Sequence, residues 1–271
     1  MTRRLTDPPR PPDGASHRPC WCGRDELIPF NDDYARCLAC ETLVLQRETA
    51  AAAGRVVDDD ADFYGRQYWF EHQRELGHVD FAQRMRSDLT DRGVQWLDTV
   101  LRYRQPPAAA LEIGCSHGGF VALLRQAGFD AQGLELSPSI ARLAAESFGV
   151  RVLVGPIEDQ TLASGSLDLI VAMDVVEHLV DPVSSFEHYA RLLGPKGLLF
   201  LQTPCYPAGL DLAALTAAAS PFLQMLLPDE HIYLFSRTGL ERLGERVGLP
   251  HLAFEPAVFP YDMCVVVGRA S

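Results

Sequence analysis

The sequence has no basic excess. Lys and Arg total 24 against 36 Asp and Glu, giving a formal net charge of −12. Duplex nucleic acid attracts basic surfaces, so a nucleic-acid partner is not expected. Long apolar runs are also missing, and none approaches the ~20 residues a membrane helix needs. The Arg- and Pro-rich start lacks the apolar core of a secretory signal. These shortages predict a cytoplasmic protein without a membrane or nucleic-acid partner. They leave the oligomeric state open.

Cysteine is present in an uneven pattern. Cys115, Cys205 and Cys264 are scattered among apolar segments and read as small core residues. Cys20, Cys22, Cys37 and Cys40 form two close pairs separated by fourteen residues, Gly23 to Arg36. In a cytoplasmic chain such clustering favours metal over disulfides. Four thiolates suit one tetrahedral, structural zinc with no open coordination position. The first pair is Cys-x-Cys, tighter than the common Cys-x-x-Cys. Four unligated thiols in a small hairpin are the alternative, and His17 is a further possible ligand.

The 271 residues, 47% hydrophobic, allow one substantial core plus an appendage. The expected organisation is a mobile tail over 1–19, a zinc-ribbon-like module over 20–47, and a linker with helical cap over 48–105. A main domain over 106–271 follows, with an insertion at 206–231. In the cap, Tyr64, Tyr68 and Trp69 stand at helical spacing, as core packing or as a lid. Apolar residues from Met85 to Leu101 recur at three- and four-residue steps, interrupted near Gly93.

After Pro106-Pro107, strands and helices alternate. Strands are predicted at 108–113, up to Glu135, at 150–154, at 166–173 and at 197–203. Helices fall between them; that after Ser137-Pro138 has Ser as N-cap and Pro at its first position, and buries Ile140, Leu143, Ala144 and Ser147. Two closing strands make an antiparallel edge pair. This rhythm predicts an α/β fold: a Rossmann-like, doubly wound, mostly parallel seven-stranded sheet. The Ala/Leu-rich insertion lies near the ligand-binding end, as core filling or as a substrate-pocket wall.

The organising stretch is Ala108–Phe120, AAALEIGCSHGGF. An apolar strand ends at Glu112 and a turn follows with Gly114, Ser116, Gly118 and Gly119. Small residues let a ligand approach the backbone, and the following helix start offers free N–H groups. Glu135 lies 21 residues beyond Gly114, at the end of the next strand, where an acid can accept ribose hydroxyls. These features alone do not separate NAD from S-adenosylmethionine (SAM). Ser116 stands where the dinucleotide fingerprint needs its middle glycine. Glu112 would repel a pyrophosphate but suits a cationic ligand.

The ordered segments LEIGCSHGGF, GLELSPSIARLAAE, GSLDLIVAMDVVEHLVDP and GPKGLLFLQTP resemble the motifs of class I SAM-dependent methyltransferases, in the branch acting on small molecules and sugars. FYGRQYW and DEHIYLFSRTGLERLGERVG extend the resemblance. It implies that Glu112 and Gly114 hold the methionine part of SAM, with Ser116 and Gly118 shaping the turn. Glu135 would bind the ribose, Leu136 flank the adenine, and Asp174 face the methionine end or the reacting centre. Tyr64 and Tyr68 would close over the cofactor. Many relatives carry an acid where this chain has Pro156, so the Ile157 backbone, Glu158 or Asp159 must serve the adenine.

An in-line methyl transfer requires no metal, and an oxygen acceptor gains from a general base. His178 and His231 are the base candidates, although either can instead hydrogen-bond backbone. His117, in the glycine turn, is expected to face solvent or cofactor. The sequence therefore predicts a SAM-dependent methyltransferase for a small-molecule acceptor, O-methylation favoured, releasing S-adenosylhomocysteine (SAH). The alternatives are an NAD-linked oxidoreductase and a non-catalytic Rossmann-like binding protein.

Overall fold

A computed structural model describes residues 18–77 and 79–269. The expected tail and His17 thus lie outside the described residues, apart from Arg18 and Pro19.

The chain opens with a three-stranded antiparallel meander: β1 (Leu27–Pro29), β2 (Tyr34–Cys37) and β3 (Leu43–Leu45). The Asn31 side chain accepts from the Asp33 and Tyr34 amides at 3.0 and 2.7 Å, closing the first turn. The linker that follows is structured. It contains a short 3-10 turn, Ala50–Ala53, capped by Thr49. The aromatic segment includes a π-helical turn over Tyr68–His72 that continues as Gln73–Glu75. Two helices follow, Phe81–Thr90 and Gly93–Tyr103, broken just before Gly93 as the spacing predicts.

The alternating region forms strands β4 (Ala109–Ile113), β5 (Asp130–Glu135), β6 (Val152–Val154), β7 (Leu167–Met173) and β8 (Leu193–Pro204). Ser137 caps the helix Pro138–Phe148 by accepting from the Ile140 amide, with Pro138 in its first turn. That helix buries Ile140, Ala141 and Ala144, whereas Ser147 is exposed. Serine there lies past the buried stripe, and Ala141 takes the inner place.

Beyond β8 come a short helix, Leu212–Ala217, and a 3-10 turn, Pro221–Met225. Then follow β9 (Tyr233–Leu234), a helix Arg237–Arg246 capped by Ser236, and strands β10 (His251–Glu255) and β11 (Asp262–Gly268).

The main sheet has seven strands in the order β10-β11-β8-β7-β4-β5-β6. The five strands β4–β8 pair in parallel, and β11 runs antiparallel to β8 and β10. This is the mostly parallel, doubly wound arrangement expected. β9 does not enter it. It pairs with β3, so the small sheet has the order β1-β2-β3-β9.

The sheet's period of two sends alternate side chains to opposite faces. One face packs Leu111, Ile113 and Ile170 against Phe186, Leu240 and Leu243, and this core reaches Cys20, Cys37 and Cys40. The other packs Leu169 and Val171 against Trp96, Val100, Phe120 and Leu124. A third cluster joins Tyr34, Leu43, Leu45 and Leu234 to Tyr206, Leu215 and Phe222. Most of the insertion's large side chains therefore roof the small sheet.

Candidate functional site

β4 has β5 on one side and β7 on the other. This is the topological switch point of an open α/β sheet, where a crevice forms beyond the strand ends. A cavity of about 920 Å³ occupies it. It holds all the expected cofactor and catalytic residues except Gly118. Gly118 instead has φ +78°, and a Cβ there would stand 2.9 Å from the Ala144 Cβ. It shapes the turn by letting two helices close together.

One half of the cavity follows β4 and β5. Glu112 is only 5% exposed, burial pushes its carboxyl well above the usual range, and its Oε2 has no hydrogen-bond partner. Gly114 has φ +66°, and a Cβ there would meet a Val175 methyl at 2.8 Å. Ser116 is held at φ +50°; its amide donates to Glu135 Oε2 at 3.0 Å, while its Oγ is buried and unpartnered. The Ser137 amide donates to the other Glu135 oxygen at 3.1 Å. Burial pushes Glu135 up to about 7, against the pull of these amides. Leu136 and buried Ile157 continue the wall. Glu158 accepts from Ser185 Oγ at 2.7 Å, and Asp159 pairs with Arg55.

The acidic linker contributes more than its composition suggests. Asp59 accepts from Ser137 Oγ at 2.6 Å and from the Ser139 amide at 3.2 Å. It thus ties the linker to the helix start beside Glu135, where a carboxylate also favours the helix dipole. Nothing in an Asp-rich run singles out this one aspartate.

The other half follows β7 and β8. Asp174 has φ +55°, and its two oxygens meet Arg92 Nη1 at 3.2 Å and Gln202 Nε2 at 3.0 Å. Arg92 also binds Asp88 at 2.9 Å. Burial works to raise Asp88, but His117, Arg92 and Arg84 draw its carboxyl far below the usual range. The Gly119 amide donates to His117 Nδ1 at 3.1 Å, so Nε2 carries the proton and donates to Asp88 at 3.1 Å. His117 lines the cavity but is 5% exposed, so it is committed to this network rather than to solvent. A glycine-flanked histidine offers no sequence signal of a partner 29 residues upstream.

His178 and His231 lie edge to face, ring centres 4.9 Å apart. Each Nδ1 lies beside a carbonyl oxygen, of Glu230 at 3.1 Å and of Met225 at 2.8 Å. Nδ1 therefore carries the proton in both rings, and each Nε2 keeps its lone pair. Burial lowers the pKa of His178; burial and then His178 lower His231 to about 4. One ring nitrogen from each and a Glu177 oxygen lie within 4.8 Å of one another. Thr203 Oγ1 donates to Glu177 Oε2 at 2.8 Å.

The expected roof residues join this half. Tyr64 Oη is 3.1 Å from His178 Nδ1, and Tyr68 Oη donates to Glu230 Oε2 at 2.9 Å. Glu230 is 3% exposed. Burial works to raise it, but His178, His231 and Tyr68 hold it below the usual range, as a carboxylate. Glu230 was missed as a site residue, although its place before His231 in the sequence is a usable signal. Met225, Leu227, Phe259 and Tyr261 supply an apolar wall, the last two rings stacked 5.4 Å apart. The insertion thus fills core through Tyr206, Leu215 and Phe222 and brings Met225 and Leu227 to the cavity wall.

The four-cysteine cluster is separate, and none of its residues lines the cavity. Cys20 and Cys40 sulfurs are 3.4 Å apart, Cys22 and Cys37 sulfurs 3.6 Å, and all four lie within 4.8 Å of one another. The hydrogen bond from Cys20 lowers Cys40 to about 5 and raises Cys20. One thiolate is already favoured before any ion arrives, and the donor set fits a single tetrahedral metal.

A glycine turn between two buried carboxyls, at the switch point of a sheet with an antiparallel β11, defines an α/β domain built for a nucleotide-type cofactor. The methyltransferase domain family matches residues 57–252. The chain belongs to that family. It is 31% identical over 134 residues to the ubiquinone biosynthesis O-methyltransferase of Xanthomonas campestris pv. campestris strain B100, covering 47% of this chain and 55% of that protein. Against the enzyme of the same name from Methylococcus capsulatus it is 33% identical over 100 residues, covering 35% and 42%. The chain thus spans about half the length of the curated relatives it matches. Among solved structures it resembles magnesium protoporphyrin IX methyltransferase from Synechocystis PCC 6803, with a TM-score of 0.55, 17% identity and coverage of 77% and 96%. It also resembles the CMeT domain of the citrinin polyketide synthase, with a TM-score of 0.51, 18% identity and coverage of 66% and 51%. At these identities the structures speak for the fold. No described helix is long and apolar enough to cross a membrane.

Glu135 yields a test of the site's energetics. Its folded pKa is raised from 4.5 to about 7, so the folded state holds a proton the unfolded state has released between those values. Stability therefore falls as pH rises through that window, and the loss is complete above it. Glu135→Gln is expected to be more stable than the parent at pH 8 by about 1–3 kcal/mol, with no gain at pH 4, in urea unfolding of the ligand-free protein.

Proposed function

We propose that the chain is a SAM-dependent methyltransferase for a small-molecule acceptor, with oxygen the favoured methyl acceptor. The observation that carries this reading is the unpartnered, buried Glu112 oxygen beside the glycine turn. A buried carboxylate calls for a cation or a donor. A pyrophosphate would worsen its position, whereas an ammonium group would complete it. The unpartnered Ser116 hydroxyl and the close approach at Gly114 support the same fit.

In this reading Glu112 and Gly114 hold the methionine part and Ser116 shapes the turn with Gly118 behind it. Glu135 takes the ribose hydroxyls, and Leu136 and Ile157 flank the adenine. Asp174, fixed by Arg92 and Gln202, stands between the two halves. Tyr64 and Tyr68 cover the site and exclude water. Bound SAM supplies an electrophilic methyl group on a sulfonium. The protein's own task is alignment and proton handling.

The acceptor lies against Met225, Leu227, Phe259 and Tyr261. Its hydroxyl proton passes to His231 Nε2, the lone pair left free by the Nδ1–Met225 bond. Glu230 steadies the resulting charge, and His178 is the second proton acceptor within reach. The names of the relatives support an oxygen acceptor, and the −12 net charge supports a small molecule over nucleic acid.

Calorimetry tests the cofactor directly: SAM and SAH bind and NAD+ does not. Binding of NAD+ with neither sulfur ligand overturns the reading. The base is tested on whichever acceptor takes label from methyl-tritiated SAM in a panel of phenols and sugar nucleotides. His231→Gln is expected to lower kcat by ~10²–10⁴-fold while changing SAH affinity less than about twofold. Because His231 is neutral above about pH 4, the wild-type kcat/KM shows no rise centred on the ordinary histidine value. A full rise through ~6.5 would contradict this environment.

We also propose that Cys20, Cys22, Cys37 and Cys40 hold one structural zinc. Elemental analysis of protein purified without chelator is expected to give about one zinc per chain, and Cys37→Ser to abolish it. An absence of zinc from the wild-type protein would reject the assignment.

A further inference from the structure

The backbone of His231 is clamped from two sides. The Ile232 amide donates to the Glu177 carbonyl at 2.8 Å, on the side of the cavity. On the other side stands the small sheet. The Leu45 amide donates to the Ile232 carbonyl at 3.0 Å, and β3 pairs with β9 through Leu43↔Leu234 and Val44↔Tyr233. Tyr34, on β2, reaches furthest: its hydroxyl donates to the His231 carbonyl at 2.9 Å, across 197 residues of sequence.

Tyr34 is 1% exposed and does not line the cavity. Its ring sits among Leu43, Leu45, Tyr206 and Phe222. β2 ends at Cys37, so the strand that seats Tyr34 is anchored in the cysteine cluster. Farther along, the Cys40 carbonyl accepts from Ser236 Oγ at 3.2 Å. The module therefore grips residues 231–236 near both ends. Among the described residues it makes no such grip on Glu112, Gly114 or Glu135, which stand on β4, β5 and the turn between them.

We propose that Tyr34 is a positioning residue of the acceptor side, carrying the geometry of the four-cysteine module to the backbone of His231. It rests on the reading of His231 as proton acceptor. Tyr34 touches neither cofactor nor acceptor. Its hydroxyl satisfies a buried carbonyl and fixes the turn from which the imidazole projects. A small shift of that turn changes the Nδ1–Met225 bond and the distances from the ring to His178, Glu177, Glu230 and Asp174, the titratable groups around it. The module then serves the acceptor half of the cavity while the cofactor half stands on the main sheet and the Asp59 tether.

The experiment uses the full-length, metal-loaded chain labelled with ¹³C at histidine Cε1, wild type against Tyr34→Phe, with His231→Gln to assign the signal. Phe keeps the ring and removes only the donor. In Tyr34→Phe the His231 titration is expected to move by half a pH unit or more, and amide exchange over 230–234 to quicken at least tenfold. SAH affinity by calorimetry is expected to change less than twofold. A His231 titration that overlays the wild type overturns the proposal, as does a parallel loss of SAH affinity. The underlying reading fails differently: if His231→Gln leaves methyl transfer intact, His231 is not the base, whatever Tyr34→Phe does to its titration.

Discussion

Two carboxyl groups buried at neighbouring strand tips set the terms for this structure. Glu112, next to last in β4, and Glu135, last in β5, are 5% and 4% exposed. Neither has a side-chain cation paired with it among the described ion pairs. Burying an ionisable group without a counter-charge is costly, and here the backbone offsets only part of that cost. Amides of Ser116 and Ser137 satisfy Glu135, while Glu112 keeps an unpartnered oxygen. Such strain is tolerated where a ligand completes the site. The glycine turn, the left-handed Ser116 and the Asp59 tether all hold these two groups open to the cavity.

Arginine does a different job in the second half. Arg92 stands between Asp88 and Asp174, and Asp88 also takes His117. This chain of pairs links the helices Phe81–Thr90 and Gly93–Tyr103 to the turn after β4 and the loop after β7. It neutralises Asp174 at the boundary between the halves. Asp262 has no such cation within hydrogen-bonding reach among the described pairs, and burial together with Asp174 pushes it up to about 8. Two cavity acids, Asp88 and Asp262, are thus shifted in opposite directions by their surroundings.

The main sheet was legible because its signals are local. Period-two and period-3.6 patterns, the Ser137-Pro138 cap and the glycine turn each lie within a few residues. Glu112 and Glu135 were legible as acids closing apolar strands. His178 and His231 were legible as residues, but not their relation to each other, to Glu230 or to Tyr64. Those contacts join segments far apart in sequence, and no periodicity encodes them. β9 shows the limit most clearly. Two residues are too few for a strand pattern, and the pairing is fixed by burial of Leu234 beside Leu43 and Leu45. Asp59 is the converse case: one residue in an acidic run gains a defined role only because a helix start lies beside it.

The pairing of β3 with β9 also explains why the insertion can be long without loosening the site. Residues 206–226 would otherwise be a flexible excursion between β8 and His231. Instead Tyr206, Leu215 and Phe222 are buried on the small sheet, and only the stretch ending at Leu227 turns its side chains to the cavity. The small sheet thus supplies the hydrophobic surface the insertion needs, and returns the chain to Glu230 and His231 at a defined place. Substitutions in the insertion can therefore reshape the cavity wall at Met225 and Leu227 while the two histidines stay fixed by Glu177 on one side and the small sheet on the other. The half of the cavity along β4 and β5 is insulated from such changes, because its groups depend on strand tips and helix starts with which the insertion shares no hydrogen bond among the described residues.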